Sequence, residues 1–224
     1  MVALALAGSL ALAGCTSTGP SVGPTGSASA RSSALTPTTG KPTLSQLVVT
    51  PNGLGYLAPG AAVPSEPAAK AIVTYNPTKC VAAAEGITAG SPGAGAWLPV
   101  YPTGVTWAGS GIPFDVGAVA GPTSAIPLIE IWSPNLKTAK GIGAGSPVAQ
   151  LTKAYGKALS VDRADNSDVY ILPGARSELL FEVAKAAAGL PVEETGTVVW
   201  MRIVPLGTTQ LHIANTDVSG PCDF

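Results

Sequence analysis

Charged side chains are scarce in this chain of 224 residues, because Asp, Glu, Lys and Arg together make up only 11% of it. Ordinary soluble domains carry about 25%. Twelve basic residues stand against thirteen acidic ones, so the formal net charge is −1. A strong electrostatic attraction for nucleic acid needs a basic surface, and we therefore exclude a nucleic-acid partner.

Histidine and cysteine are also scarce, with one His and three Cys. A zinc site usually takes three or four such ligands, so the sequence predicts neither a metal site nor a cofactor. His212 lies between Leu211 and Ile213 in an alternating pattern. A catalytic histidine needs a nucleophile and an orienting acid, and no motif supplies them. We interpret His212 as a half-exposed strand residue and predict no catalytic residues.

Two further patterns have simple structural interpretations. Asp162, Asp165 and Asp168 recur at every third residue, without the central glycine and alternate spacing of a calcium loop, which favours a solvated hairpin turn. The glycines of residues 141–145 precede a helix start, where free N–H groups bind anions, but they match no phosphate-binding motif. Packing and capping explain them.

The N-terminus carries the clearest motif. Residues 1–13 form an apolar run that is too short to span a bilayer and is typical of a signal-peptide core, and residues 1–14 are predicted to be the signal peptide. The ending Leu12-Ala13-Gly14-Cys15 resembles a bacterial lipobox. The resemblance implies that Cys15 is lipidated and becomes the first residue of the mature chain, held by a membrane anchor. The alternative is an ordinary secretion signal followed by an incidental cysteine.

Residues 15–43 are dominated by Ser, Thr, Gly, Pro and Ala, which predicts a flexible tether between the lipid and a folded body at residues 44–224. If Cys15 is lipidated, Cys80 and Cys222 remain in an oxidising compartment. Their simplest fate is a disulfide bond with each other. Two free thiols or an intermolecular bridge are the alternatives.

The folded body contains two weak internal similarities. Residues 56–75 resemble residues 141–155 at an offset of 85, and Ile129-Glu130-Ile131 resembles Met201-Arg202-Ile203 at an offset of 72. These similarities favour two tandem units, with approximate halves 44–135 and 136–224. We expect an α+β fold in which each unit packs a short helix on a small antiparallel sheet.

The second half gives the clearer pattern. Pro147 suits a helix start, Val148, Leu151 and Tyr155 form an apolar stripe, and Gly156 is placed to end the helix. Strands are predicted at residues 159–161, 169–172, 179–184, 198–204 and 210–214. In the first half the pattern predicts a helix near residues 65–75 and strands at 81–84, 97–101, 114–119 and 126–132.

Residues 141–156 read Gly-Ile-Gly-Ala-Gly-Ser-Pro-Val-Ala-Gln-Leu-Thr-Lys-Ala-Tyr-Gly. This pattern, followed by alternating strands, is similar to a unit of secreted actinobacterial proteins and of the β-lactamase-inhibitor-like and outer-membrane-assembly (BamE-like) lipoproteins. The resemblance implies a non-enzymatic module, often present in tandem, that offers a sheet face to a partner.

Strand alternation suggests where such a face lies. It places Val198, Trp200, Arg202 and Val204 on one side of their strand, and Val199, Met201 and Ile203 on the other. Since the second set is wholly apolar, we expect it to face the helix. The first set, with Glu130 from the similar tripeptide, is expected to be exposed. Glu130, Trp200 and Arg202 are therefore our candidate partner surface, because exposed aromatic and Arg residues anchor interfaces.

Three functions fit these observations. The leading one is a lipid-anchored binding or scaffolding protein on the external face of the cell membrane, without catalysis, whose partner is an envelope protein. A second is a binder of an apolar small molecule or lipid, because residues 81–129 are rich in aromatics and nearly uncharged. A third is an envelope hydrolase whose acidic residues converge on folding. A cavity above a few hundred Å³ favours the second, and paired buried carboxylates in a cleft favour the third.

Overall fold

The computed structural model describes residues 40–67, 71–102, 111–188 and 194–209, together with His212 and Cys222. These residues belong to the unit Thr38–Phe224, and the other unit, Met1–Pro37, lies outside them. Within the described ranges the protein is mainly β-structure, with one α-helix, α1 (Val148–Tyr155). The strands are β1 (Val48–Thr50), β2 (Gly53–Leu54), β3 (Val73–Asn76), β4 (Gly95–Pro99), β5 (Phe114–Asp115), β6 (Ala118–Val119), β7 (Ile129–Ile131), β8 (Lys137–Thr138), β9 (Ser160–Arg163), β10 (Ser167–Pro173), β11 (Ser177–Ala184) and β12 (Val198–Pro205).

The largest sheet has six strands in the order β5-β7-β12-β11-β10-β9, and every neighbouring pair is antiparallel. Strands β5 and β7 come from the first half of the folded body and the other four from the second. The two similar tripeptides lie side by side in it, with Glu130 opposite Arg202. The fold is therefore mainly β with one short helix and is not clearly two helix-plus-sheet units, because strands of both halves join in this sheet.

Helix α1 forms where the second half predicts it. Its single fully buried residue, Leu151, enters the main core, and Tyr155 packs on Phe181 of β11 with ring centroids 5.8 Å apart. The helix ends at Gly156, whose φ of 51° favours glycine. Strands β9 to β12 also overlap their predictions.

The first half departs more from its predictions. The predicted helix near residues 65–75 is wrong in its described part, because residues 73–76 form β3 and pair with β4. Val73, Thr74 and Tyr75 are β-branched or aromatic, and such residues favour strands. The predicted strand at 81–84 is also wrong: Ala83–Glu85 is a 3-10 turn that ends at Gly86, with a φ of 75°.

Two three-stranded sheets complete the core, in the orders β2-β1-β8 and β3-β4-β6. The predicted strand at 114–119 divides between sheets, since β5 joins the six-stranded sheet and β6 pairs with β4. Gly117, with a φ of 69°, lies between them. Apolar side chains of all three sheets and of α1 meet in one core, among them Val49, Val73, Leu151 and Phe181.

The predicted disulfide bond between Cys80 and Cys222 is present, with a Cα–Cα distance of 5.2 Å. Cys80 is buried, and its backbone N–H donates to the carbonyl of Ala94. The predicted strand at 210–214 lies outside the described residues except for His212. No helix in the described ranges has the length and apolarity that crossing a membrane demands.

Candidate functional site

The face of β12 that we expected to be exposed carries a buried cluster of charges. Arg202 on β12 lies opposite Glu130 on β7, and Glu130 lies opposite Asp115 on β5. Glu182 on β11 lies opposite Trp200, one alternate position along β12. The four charged residues are at most 6% exposed, with Arg202 at 6% and Glu130 at 4%. We call Asp115, Glu130, Glu182 and Arg202 the charged cluster.

This burial corrects the predicted partner surface. The expectation of exposure is wrong for Glu130 and Arg202. Trp200 is half-buried, and its ring is nearly perpendicular to that of Trp132, at a centroid distance of 6.4 Å. The strand alternation itself holds for Met201 and Ile203, which enter the main core. It fails for Val198, which packs in the same core because a β-bulge shifts the register between Glu182 and Val183.

Opposite charges make the burial of Arg202 tolerable. Loss of water lowers the pKa of its guanidinium, whereas the nearby carboxylates of Glu130 and Glu182 act to raise it. The guanidinium stays protonated at neutral pH, since arginine does not deprotonate in proteins. One cation thus lies between two acidic residues, and charges buried in this way are usually paired.

Asp115 has partners of its own on the same face. One carboxylate oxygen accepts the indole N–H of Trp132 at 2.9 Å, and the other accepts the backbone N–H of Gly117 at 3.1 Å. Asp115 is fully buried. These two donors hold it in place and position the short strand β5 against β7.

A chain of hydrogen bonds extends the charged cluster towards His212. The hydroxyl of Ser167 donates to Glu182 Oε1 at 2.7 Å and lies 2.9 Å from Nδ1 of His212. Nε2 of His212 lies 3.1 Å from a carboxylate oxygen of Asp162. The interpretation of His212 as a half-exposed strand residue missed this bridging position, and its side chain is 13% exposed.

The grouping of Ser167, His212 and Asp162 has the composition of a catalytic triad but not its geometry. A serine nucleophile must be reachable by substrate and must give its proton to the histidine. Ser167 is 0% exposed, and its proton is directed to Glu182. The arrangement is therefore a hydrogen-bond network between strands, not an activated nucleophile.

The other acidic residues singled out by the sequence take different partners. Asp168 forms ion pairs with Arg163 at 2.8 Å and with Lys185 at 2.7 Å, whereas Asp162 lies against His212. In the described residues no three His, Cys, Asp or Glu side chains are grouped to hold a metal ion.

The backbone N–H groups before α1 are also occupied. Gly143 donates to the hydroxyl of Ser146, Gly145 to the carbonyl of Val198, and Val148 to that of Gly196. These three N–H groups are hydrogen-bonded within the protein, so they do not offer free donors to an anion at the helix start. This agrees with the interpretation that the glycines serve packing and capping.

A cavity of about 480 Å³ lies away from the charged cluster, between loops of two sheets. Its walls come from the β1–β2 turn, the loop 58–61, the β10–β11 turn and the end of β12. The lining residues are Asn52, Ala58, Pro59, Gly60, Ala61, Ala175, Arg176, Ser177 and Pro205. We call it the turn cavity.

Two smaller cavities, of about 300 and 170 Å³, share Tyr56 and Glu66. The Tyr56 hydroxyl accepts the backbone N–H of Ile72 at 2.9 Å. Trp97 lines the smaller cavity and is the one residue of the aromatic stretch 81–129 to line any of these three cavities. The indole N–H of Trp97 is buried from solvent, so a ligand in that cavity does not reach it.

Comparison with known proteins adds no relative. No family model, no curated protein and no solved structure matches this chain.

Sequence reasoning missed Asp115, Ser167 and Glu182, although one signal for the charged cluster was present. The similar tripeptides carry opposite charges at their centres, Glu130 and Arg202, between apolar neighbours. Opposite charges are favourable directly across neighbouring strands. The similarity thus marks two strands that pair with each other.

Proposed function

We propose that this protein is a lipid-anchored, extracytoplasmic binding or scaffolding protein of the cell envelope without catalytic activity. Its anchor is Cys15 at the end of the lipobox-like segment, and residues 15–43 tether the folded body to the external face of the membrane. The partner that the anchor itself supplies is the membrane.

The observation that carries this proposal is the disulfide bond between Cys80 and Cys222. Disulfide bonds persist in oxidising compartments and are rare in the cytosol of most organisms. The bond therefore supports export, which the lipobox-like segment predicts independently. It also accounts for both cysteines that follow Cys15.

Two features of the site support a function without catalysis. The buried carboxylates of Glu130 and Glu182 have Arg202 between them, and none of the three carboxylates in the charged cluster lines one of the three cavities described above. The hydroxyl of Ser167 is buried and donates to Glu182. These arrangements favour structural roles over hydrolysis.

The test is the variant Cys15→Ala in the native host. We expect the unchanged protein to enter the detergent phase and to carry an added lipid mass on Cys15. The variant is expected to lack that mass and to remain uncleaved at this site or leave the membrane. Cys80→Ser is the matched control, since it removes a different cysteine and leaves lipidation intact. Lipid on the Cys15→Ala chain would refute the anchor.

A second candidate function is supported by the turn cavity. Its volume of about 480 Å³ lies in the range of small-molecule sites, and five of its nine lining residues are Ala or Pro. We propose on this ground that the folded body also binds a small, largely apolar molecule. This site differs from the aromatic stretch that the sequence suggested.

A further inference from the structure

The walls of the turn cavity are fixed before any ligand arrives. The backbone N–H of Ala175 donates to the Asn52 side chain at 2.8 Å, and the Ser177 hydroxyl donates to the carbonyl of Pro51 at 2.7 Å. Both bonds join the β1–β2 turn to the β10–β11 turn, although the residues are more than 120 positions apart. On the opposite wall, the N–H of Gly60 donates to the carbonyl of Ile126 at 2.8 Å. A cavity held in this way loses little entropy on binding.

The closeness of the two turns leaves no room for a side chain at Gly174. A Cβ atom there would lie 2.5 Å from Oδ1 of Asn52 and 2.7 Å from the carbonyl oxygen of Ser177. The glycine therefore permits the contact between turns that shapes the cavity. The wall is a built contact rather than a chance gap between loops.

Arg176 is the one charged residue in the lining of the turn cavity. It is exposed, and among the described residues its guanidinium has no ion pair or hydrogen bond. The amide N–H donors of Asn52 likewise lack an acceptor there, since only its oxygen is used. The polar part of the lining thus offers unused donors and a positive charge.

Most of the other residues that line the turn cavity are apolar. Ala58, Pro59 and Ala61 line the same cavity, and Leu206, which is 52% exposed, donates its N–H to the carbonyl of Arg176 at 3.4 Å. A single cation at the edge of an apolar space matches a ligand with one anionic head and an apolar body. A neutral apolar ligand would leave the guanidinium unused.

We infer that the turn cavity binds a small amphipathic anion, whose carboxylate or phosphate head pairs with Arg176 and whose apolar body lies against residues 58–61. This inference rests on the second proposed function, small-molecule binding, and adds the class of ligand. Arginine suits the role because its planar fork donates two parallel hydrogen bonds to such a head. The anion comes either from a free organic acid or from a membrane lipid.

The experiment uses the full lipidated chain in nanodiscs of phosphatidylcholine, so that no detergent competes. Titration calorimetry measures the binding of octanoate, octanol and acetate, with the heat of empty nanodiscs subtracted. Octanol lacks the anionic head and acetate lacks the apolar body, so the three compounds test the two parts of the ligand separately. We expect octanoate to bind, and octanol and acetate to bind at least about tenfold more weakly, because each lacks one half of the contact. Arg176→Gln is expected to weaken octanoate about tenfold and to leave octanol unchanged.

The matched control is Lys153→Gln, which removes an exposed cation of α1 that does not line the cavity. It is expected to bind octanoate like the unchanged protein. Phosphatidylglycerol nanodiscs distinguish the two sources: a lipid ligand occupies the cavity and lowers octanoate binding, whereas a free acid leaves it unchanged.

Two results would overturn the inference in different ways. If octanol binds as tightly as octanoate and Arg176→Gln changes neither, the cavity binds small molecules but not anions, and the second proposed function survives alone. If none of the three compounds binds, both fail. The anchor proposal is unaffected in either case, because its test reads lipid on Cys15.

Discussion

The two faces of the six-stranded sheet bury different kinds of side chain. One face presents Phe181, Met201 and Ile203 to the main core and to α1. The other buries the charged cluster beside a small apolar group of Val169, Leu180 and Val204. Because both faces are buried, the alternation of polar and apolar residues in β12 reports which face a side chain takes, but not whether water reaches it.

The two faces also differ in how a substitution affects the stability of the protein. An apolar core loses stability in proportion to the volume removed, whereas a buried charge depends on each of its partners. Removing one charge leaves its partners buried without compensation. Substitutions in the charged cluster are therefore the most direct test of this difference between the two faces.

The largest effect is expected from Arg202→Ala. The change leaves Glu130 and Glu182 without the cation between them, and breaking a buried pair costs about 3–5 kcal/mol. Urea denaturation at neutral pH measures this loss in the free energy of unfolding. A cost below about 1 kcal/mol would contradict the burial of a paired charge.

A triple variant shows whether the loss comes from uncompensated charge. Replacing Arg202 by Met together with Glu130→Leu and Glu182→Leu removes all three charges, and apolar replacements of buried ion groups are often neutral or stabilising. We expect most of the stability to return. Met201→Ala is the control on the other face of the sheet. It is expected to lose about 2–5 kcal/mol because it leaves a cavity in the apolar core, and this loss does not depend on the charged cluster.

Ser167→Ala is expected to have an intermediate effect. The hydroxyl donates to Glu182 and lies against His212, so its removal deletes one hydrogen bond to a buried carboxylate, at a cost of about 1–3 kcal/mol. Ser160→Ala on the adjacent strand β9 is the control, because Ser160 is exposed. Equal unfolding midpoints for the two variants would mean that the network does not stabilise the sheet.

The sequence predicts the second half of the fold well and the first half poorly, for physical reasons. Helix α1 has an apolar stripe and a terminal glycine, and β9 to β12 are neighbours in the chain that pair with each other in turn. The first half builds three different sheets, and β1 pairs with β8 almost ninety residues later. Local patterns do not encode such distant pairing.

The candidate sites also differ in how well the sequence predicts them. The count of cysteines predicts the Cys80–Cys222 pair, since the proposed lipidation of Cys15 would leave two thiols with one simple pairing. The charged cluster depends on the register between β7 and β12, which no single strand reveals. The turn cavity depends on turns more than 120 residues apart, at Asn52 and Ala175. Arg176 carries no signal in the sequence beyond its charge.

The smallest effect is expected from Arg163→Gln, at the exposed edge of the same sheet. Arg163 pairs with Asp168 at 2.8 Å, but its side chain is 66% exposed. Pairs of this kind contribute about 0–1 kcal/mol and are screened by salt, because water already solvates the exposed guanidinium. Lys185 also holds Asp168, at 2.7 Å, so the carboxylate keeps a partner in the variant. We expect urea midpoints that differ slightly from those of the unchanged protein at low salt and coincide with them at 1 M NaCl. A loss as large as that of Arg202→Ala would mean that burial does not decide the cost of removing an arginine from this sheet.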